Sequence, residues 1–164
     1  MPKICPATPA DYPIIERIAR QTWPNTFGSI LSVEQIQYML SWMYSQQAIG
    51  EQVDQKGHVF LMASDDTGEA VGYASYEHQD KITKIHKLYL LPQTQGQGIG
   101  RLFIEEVARR ALAAGNTVLI LNVNRQNRAV QFYERLGFTA VTTEDIDIGN
   151  GYLMQDYVMQ KYLS

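Results

Sequence analysis

Three glycines at alternate positions, Gly96, Gly98 and Gly100, stand in the stretch LPQTQGQGIGRLF, Leu91 to Phe103, which contains no acidic residue. Glycine this dense costs conformational entropy, so the backbone there must turn sharply or admit something very close. The stretch lies between an apolar run ended by Pro92 and an amphipathic segment, the position of a strand-to-helix loop. At such a junction the first helical N–H groups are unpaired and the helix dipole favours an anion. A pyrophosphate is the ligand these features suit best; a tight turn without a ligand is the alternative. A dinucleotide site requires G-x-G-x-x-G and a carboxylate closing the next strand. Here the spacing is G-x-G-x-G and the next β-prone run ends Leu-Asn-Val-Asn. The lysine and hydroxyl residue of a P-loop are also missing.

Other reactive side chains are sparse. His58, His78 and His86 lack the H-E-x-x-H spacing of a zinc hydrolase, and the single Cys5 supports neither a disulfide framework nor a cysteine metal site. The expectation is a protein without a metal. A net charge of -3 gives no electrostatic footprint for nucleic acid. No apolar run reaches the ~20 residues of a membrane helix, and the first residues, MPKICPATPADYP, hold no signal-peptide core. These readings predict a cytoplasmic, soluble protein, a single domain over residues 1–164.

The elements that must position the glycine loop follow from periodicity and punctuation. Lys3 to Cys5 reads as a short strand. A helix opens between Thr8 and Asp11, where TPAD resembles a capping box, and is predicted to stop at Pro24. A second helix is predicted over Val33 to Ile49, with Gly50 as its C-terminal stop and Trp42 packed against the sheet. HVFLMAS and EAVGYASYEH, separated by DDTG, read as a hairpin, and KITKIHKLYLL as a further strand. A helix follows from about Gly100 to Ala114, then the buried, parallel-type strand TVLILNV. A helix from Arg128 to Leu136 and strands over Phe138–Thr143 and Tyr152–Tyr162 complete the chain. The predicted fold is mixed α/β, a mostly antiparallel sheet of about seven strands with helices on both faces.

The glycine stretch also reads Q-x-x-G-x-G from Gln95 to Gly100, preceded by KLYLLP and followed by NRQNRAVQFYERLGF. In that combination the chain resembles the GNAT superfamily of acetyl-CoA-dependent N-acetyltransferases, over a core from about Gly57 to Phe138. The resemblance implies acetyl-CoA as cosubstrate, with the N–H groups of Gln95, Gly96, Gln97, Gly98, Ile99, Gly100 and Arg101 cradling its pyrophosphate. It implies that Leu88, Tyr89 and Leu90 splay from the next strand and bond the pantetheine arm, with the Leu88 N–H aimed at the thioester carbonyl. Asn127 matches an asparagine that contacts the pantetheine or its neighbouring loop. Tyr133 matches the tyrosine that protonates the departing thiolate. Read without the resemblance, Asn127 is a helix cap and Tyr133 a buried tyrosine.

An acceptor amine must lose a proton before it attacks. Many relatives carry a glutamate for this on the strand before the loop, but here that strand reads Lys84-Ile85-His86-Lys87. His86, with the strand parity of Leu88 and Leu90, is the catalytic candidate there, with Glu77 and His78 in reserve. Trp23 and Phe27, in an aromatic loop at a helix end, are the expected acceptor-binding residues. With the terminal IDIGNGYLMQDYVMQKYL they resemble the spermine/spermidine acetyltransferase branch. Glu144, Asp145, Asp147 or Asp156 would attract the ammonium groups of a polyamine. The expected partners are thus acetyl-CoA and a small amine acceptor such as a polyamine, with a homodimer as a further possibility. A peptide α-amine is the alternative acceptor. An acyl-CoA-binding module without turnover is the rival from another class.

Overall fold

The alternation of short β-prone runs with amphipathic segments produces a seven-stranded sheet of order β1-β2-β3-β4-β5-β7-β6. The computed structural model describes residues 1–164. Its elements are β1 (Lys3–Pro6), α1 (Tyr12–Phe27), α2 (Val33–Tyr44), α3 (Gln46–Asp54), β2 (Val59–Ser64), β3 (Ala70–His78), β4 (Ile82–Leu90), α4 (Ile99–Ala113), β5 (Val118–Asn124), α5 (Ala129–Arg135), β6 (Thr139–Gly149) and β7 (Tyr152–Tyr162). Only β4 and β5 run parallel; every other neighbouring pair is antiparallel. The mixed, mostly antiparallel fold predicted above is the fold found. The buried strand β5 is parallel to β4 on one side only, since β7 pairs antiparallel along its other edge.

Each face of the sheet buries its own core. Helices α4 and α5 cover one with Phe103, Ile104, Val107 and Tyr133 against Leu61, Ala74, Leu119 and Leu121. Helices α1 to α3 cover the other with Ile15, Trp23, Leu40 and Tyr44 against Phe60, Met62 and Tyr73. Burial of this kind removes ~25 cal/mol per Å² of apolar surface from water, the main favourable term in folding.

Two predicted helix boundaries need correction. Helix α1 continues through Pro24 to Phe27. An interior proline costs ~3 kcal/mol, but stopping there would release Phe27, which is fully buried with Trp23. The predicted helix over Val33 to Ile49 is two helices. Ser45 adopts an extended backbone between them, and its Oγ accepts from the Ala48 N–H at 3.1 Å. Gly50 therefore lies inside α3 and is no cap. Tertiary packing and a local hydroxyl cap each outweighed the periodic pattern. Trp42 is also misassigned: it is 54% exposed and stacks on Tyr38. Strand β6 runs six residues beyond the predicted Thr143, to Gly149, because its hairpin with β7 reaches over α2. The Tyr38 hydroxyl donates to the Ile148 carbonyl at 2.8 Å, and Gln35 Nε2 to the Leu153 carbonyl at 3.0 Å.

Candidate active site

The site begins with a fault in the sheet. Opposite Ser75 and Tyr76 of β3 stand Lys87 and Ile85 of β4, so His86 is an extra, unpaired residue. Such a bulge bends its strand and increases the local twist. Pairing between β4 and β5 accordingly ends at Ile85 and Leu121, although β4 continues to Leu90 and β5 to Asn124. Beyond that point the two strands part. The gap opens into a cleft of about 360 Å³ lined from both faces of the sheet, by Leu88, Asn127 and Tyr133 on one side and by Trp23, Phe27 and Asp156 on the other.

The bulge also decides which way β4 points its groups. The Leu91 N–H bonds back to the Val71 carbonyl near the start of β3, at 2.9 Å. Antiparallel alternation then turns the N–H groups of Leu88 and Leu90 away from β3, toward the cleft. The side chains of Leu88 and Leu90 pack into the α4/α5 core. Tyr89 packs against Trp23 and Phe27 on the opposite face, with ring centroids at 5.7 and 6.4 Å. His86 does not share the face of Leu88, as parity predicts, because the bulge resets the alternation. It stacks on His58 with centroids 4.0 Å apart, and its Nε2 lies 2.9 Å from Glu77 Oε1. Burial and the neighbouring Lys87 and Lys84 lower His86 to about 4, against the opposing pull of Glu77. Lys87 is itself buried, donating to Gln52 Oε1 at 2.8 Å beneath the Tyr44 and Phe60 rings, and burial lowers it to about 7.

The glycine loop sits where β4 hands over to α4. After a 3-10 turn at Pro92–Thr94, Gly96 and Gly98 take φ of +82° and +83°, left-handed values that favour glycine. A Cβ at either would meet nothing within 4 Å. No backbone N–H from Gly96 to Arg101 has an acceptor in the protein. They lie at the positive end of a 15-residue helix, an arrangement suited to a phosphate. Gly100 has a different reason for lacking a side chain. A Cβ there would lie 2.8 Å from Phe132 Cζ, so this glycine lets α4 and α5 approach. Gln95 points its amide back to the Leu90 carbonyl at 3.3 Å, Gln97 does the same to Gln93 at 3.4 Å, and Arg101 is exposed.

Across the cleft, Asn127 Oδ1 accepts from the Ala129 N–H at 2.9 Å and so caps α5, while its amide nitrogen is left free to reach a ligand. Tyr133 is buried between Phe132 and Phe138, and burial raises its phenol above the ordinary range. Trp23 and Phe27 lie on helix α1, not in a loop, with centroids 4.6 Å apart. The four acidic residues picked out near the C-terminus separate by environment. Glu144 accepts from Asn122, Asp145 pairs with Arg125 at 2.6 Å, and Asp147 accepts from the Gly149 N–H. Asp156 alone lines the cleft. It is 6% exposed, its Oδ2 accepts from Asn122 at 3.3 Å, and its Oδ1 has no partner. Burial, reinforced by Glu144, raises its carboxyl. The sequence offered Asp156 only as one of four carboxylates; its special status comes from the alignment of Asn124 with Asp156 across β5 and β7. His78 is turned from the cleft and bonds Thr83 at 2.8 Å.

Residues 30–161 match the family model described as an acetyltransferase (GNAT) domain. An uncharacterized N-acetyltransferase of Mycobacterium tuberculosis is 30% identical over 89% of this chain and 94% of its own. The L-methionine sulfoximine/L-methionine sulfone acetyltransferase of Salmonella typhimurium is 28% identical over 67% of this chain and 63% of its own. Among solved structures, the PaiA N-acetyltransferase from Thermoplasma acidophilum in complex with coenzyme A superposes with a TM-score of 0.84, at 25% identity and 99% coverage of both chains. No helix of the chain is long and apolar enough to cross a membrane.

Proposed function

Starting from a chain that belongs to the GNAT superfamily of N-acetyltransferases, we propose that it acetylates the primary amine of a small molecule with an apolar body, using acetyl-CoA. The observation that carries this reading is Asp156 Oδ1, a buried, unpartnered carboxylate oxygen in a mostly apolar cleft whose wall includes Trp23, Phe27, Met39, Met43, Ile146 and Met154. One anionic atom in an apolar wall suits one ammonium group attached to a hydrocarbon or aromatic body.

The free N–H groups of Gly96 to Arg101 fit the pyrophosphate of acetyl-CoA, and the unpaired edge of β4 fits its pantetheine arm. Asn127 contributes its free amide. On the acceptor side Asp156 takes the ammonium proton, and its raised carboxyl is a better matched base near neutrality than an ordinary aspartate. The neutral amine forms the new C–N bond at the thioester carbonyl while the Leu88 N–H receives the charge developing on oxygen. The C–S bond breaks, and Tyr133 gives its proton to the leaving sulfur. We place the base at Asp156 and not at His86, whose Nε2 is held by Glu77 at 2.9 Å.

A second reading, a polyamine, draws on Glu144, which stands opposite Asp156 and shares Asn122 with it. Thiol release from acetyl-CoA, followed with hexylamine, phenethylamine, spermidine and a peptide with an N-terminal leucine, separates the cases. The expected result is a kcat/KM at least about tenfold higher for the apolar monoamines than for spermidine. The reverse ranking would replace the proposal with the polyamine reading. Coenzyme A binding with no amine-dependent thiol would leave a binding module instead.

A further inference from the structure

We infer that His58, Glu77 and His86 form a binding site for a borderline divalent transition-metal ion, with Zn²⁺ the ion whose chemistry they suit. The three side chains come from residues far apart in sequence, just before β2, near the end of β3 and in the bulge of β4. Their ligand atoms all lie within 4.8 Å of one another. Two imidazoles and a carboxylate are a recurring three-ligand set for zinc, leaving a fourth position for water.

A second observation points to a missing ligand. His58 is buried, yet neither ring nitrogen has a hydrogen bond: Nδ1 has no partner, and Nε2 stands 3.6 Å from Glu77 Oε1. One carboxylate oxygen serves His86 at 2.9 Å and leaves its stacked neighbour unsatisfied. An ion between the two Nε2 atoms and the carboxylate would engage the His58 nitrogen that faces Glu77 beyond hydrogen-bond distance. The ring planes are 12° from parallel, so binding requires them to splay until their lone pairs converge. Neutral imidazole nitrogens and a carboxylate oxygen are the ligand forms that zinc takes, and its binding releases whatever protons they hold. Lys56, Lys84 and Lys87 lie near the two histidines, and positive charge there opposes the ion. Affinity will accordingly fall below that of a four-ligand structural site. His86 is two residues before Leu88, so a bound ion would tie the β4 bulge to β3 and to the chain entering β2.

Protein freed of metal with a chelator is titrated with Zn²⁺ against a chromogenic competitor, and with Co²⁺ for its visible absorption. We expect one equivalent per chain and a four-coordinate Co²⁺ spectrum. His86→Gln and Glu77→Gln should each weaken binding about tenfold or more, while His78→Gln leaves it unchanged. Absence of a saturable equivalent, or wild-type affinity in both ligand variants, overturns the inference. Should either variant fail to fold, the imidazole NMR signals of the wild-type protein decide. Zn²⁺ must shift those of His58 and His86 and spare His78; any other pattern rejects the site.

Discussion

Replacing Gly100 by alanine would test whether that glycine serves packing or the cosubstrate. The added Cβ falls 2.8 Å from Phe132 Cζ and 3.2 Å from Cε1, where carbon atoms prefer ~3.5–4.0 Å. Either the ring or helix α4 must move, and overpacking of this kind costs ~1–3 kcal/mol. Alanine returns up to ~1 kcal/mol as the better helix former. A net loss of ~1–2 kcal/mol lowers Tm by roughly 2–8 °C in a chain of this length. Phe132→Leu removes all three ring atoms that the Cβ would approach. In that background the sign should reverse, and Gly100→Ala should raise Tm. Gly98→Ala is the contrasting case, because its Cβ meets nothing but its φ is +83°. It should cost ~1–2 kcal/mol in either background. Thermal unfolding by circular dichroism of the three single variants and the two doubles that carry Phe132→Leu closes both cycles. Additive effects of Gly100→Ala and Phe132→Leu would refute the packing account and return Gly100 to the loop as a third conformational glycine.

Four further outcomes follow from the site. Tyr133→Phe should lower kcat by about 10²–10⁴ with little change in KM for acetyl-CoA, seen in steady-state thiol release; equal losses in both would remove its acid role. Asp156→Asn should abolish most turnover yet hold or raise stability at pH 7. The folded-state carboxyl is raised, so its favourable contribution exists at low pH and is lost as pH rises through that raised value, leaving a costly buried charge that asparagine lacks. Chemical denaturation of the two proteins at pH 4 and pH 7 measures the difference, and a less stable variant at pH 7 contradicts it. Lys87 behaves oppositely in pH. With its folded value lowered to about 7, the unfolded chain binds more protons between there and 10.5, so stability should rise from pH 7 to 9 in the wild type and flatten in Lys87→Met. Trp42→Ala, at the exposed rim of the cleft, should shift Tm little and raise KM for the acceptor but not for acetyl-CoA; an unchanged acceptor KM would remove Trp42 from that wall.

Much of this protein is local in origin and so was legible in its sequence. The β-prone run VFLMAS and the amphipathic segment after the glycines, which buries Phe103 and Val107, gave the elements. The Gly96 and Gly98 spacing gave the sharp turn before α4, because a left-handed turn before a helix depends only on neighbouring residues. Boundaries failed where distant contacts outbid local preference: the buried Phe27 carries α1 past Pro24, and the hairpin docking on Tyr38 extends β6. The proposed base and acceptor wall were hidden for the same reason. One extra residue at His86 turns that ring to the opposite face from Leu88, and β-strand parity cannot foresee a bulge that needs a partner strand to exist. Asp156 stands out from three other acidic residues only after β5 and β7 pair and bury it, and His58, Glu77 and His86 meet only across three elements. Composition and spacing determined the fold and the glycine turn before α4; the tertiary structure decided which charges are buried, because burial depends on elements that meet only when the sheet forms.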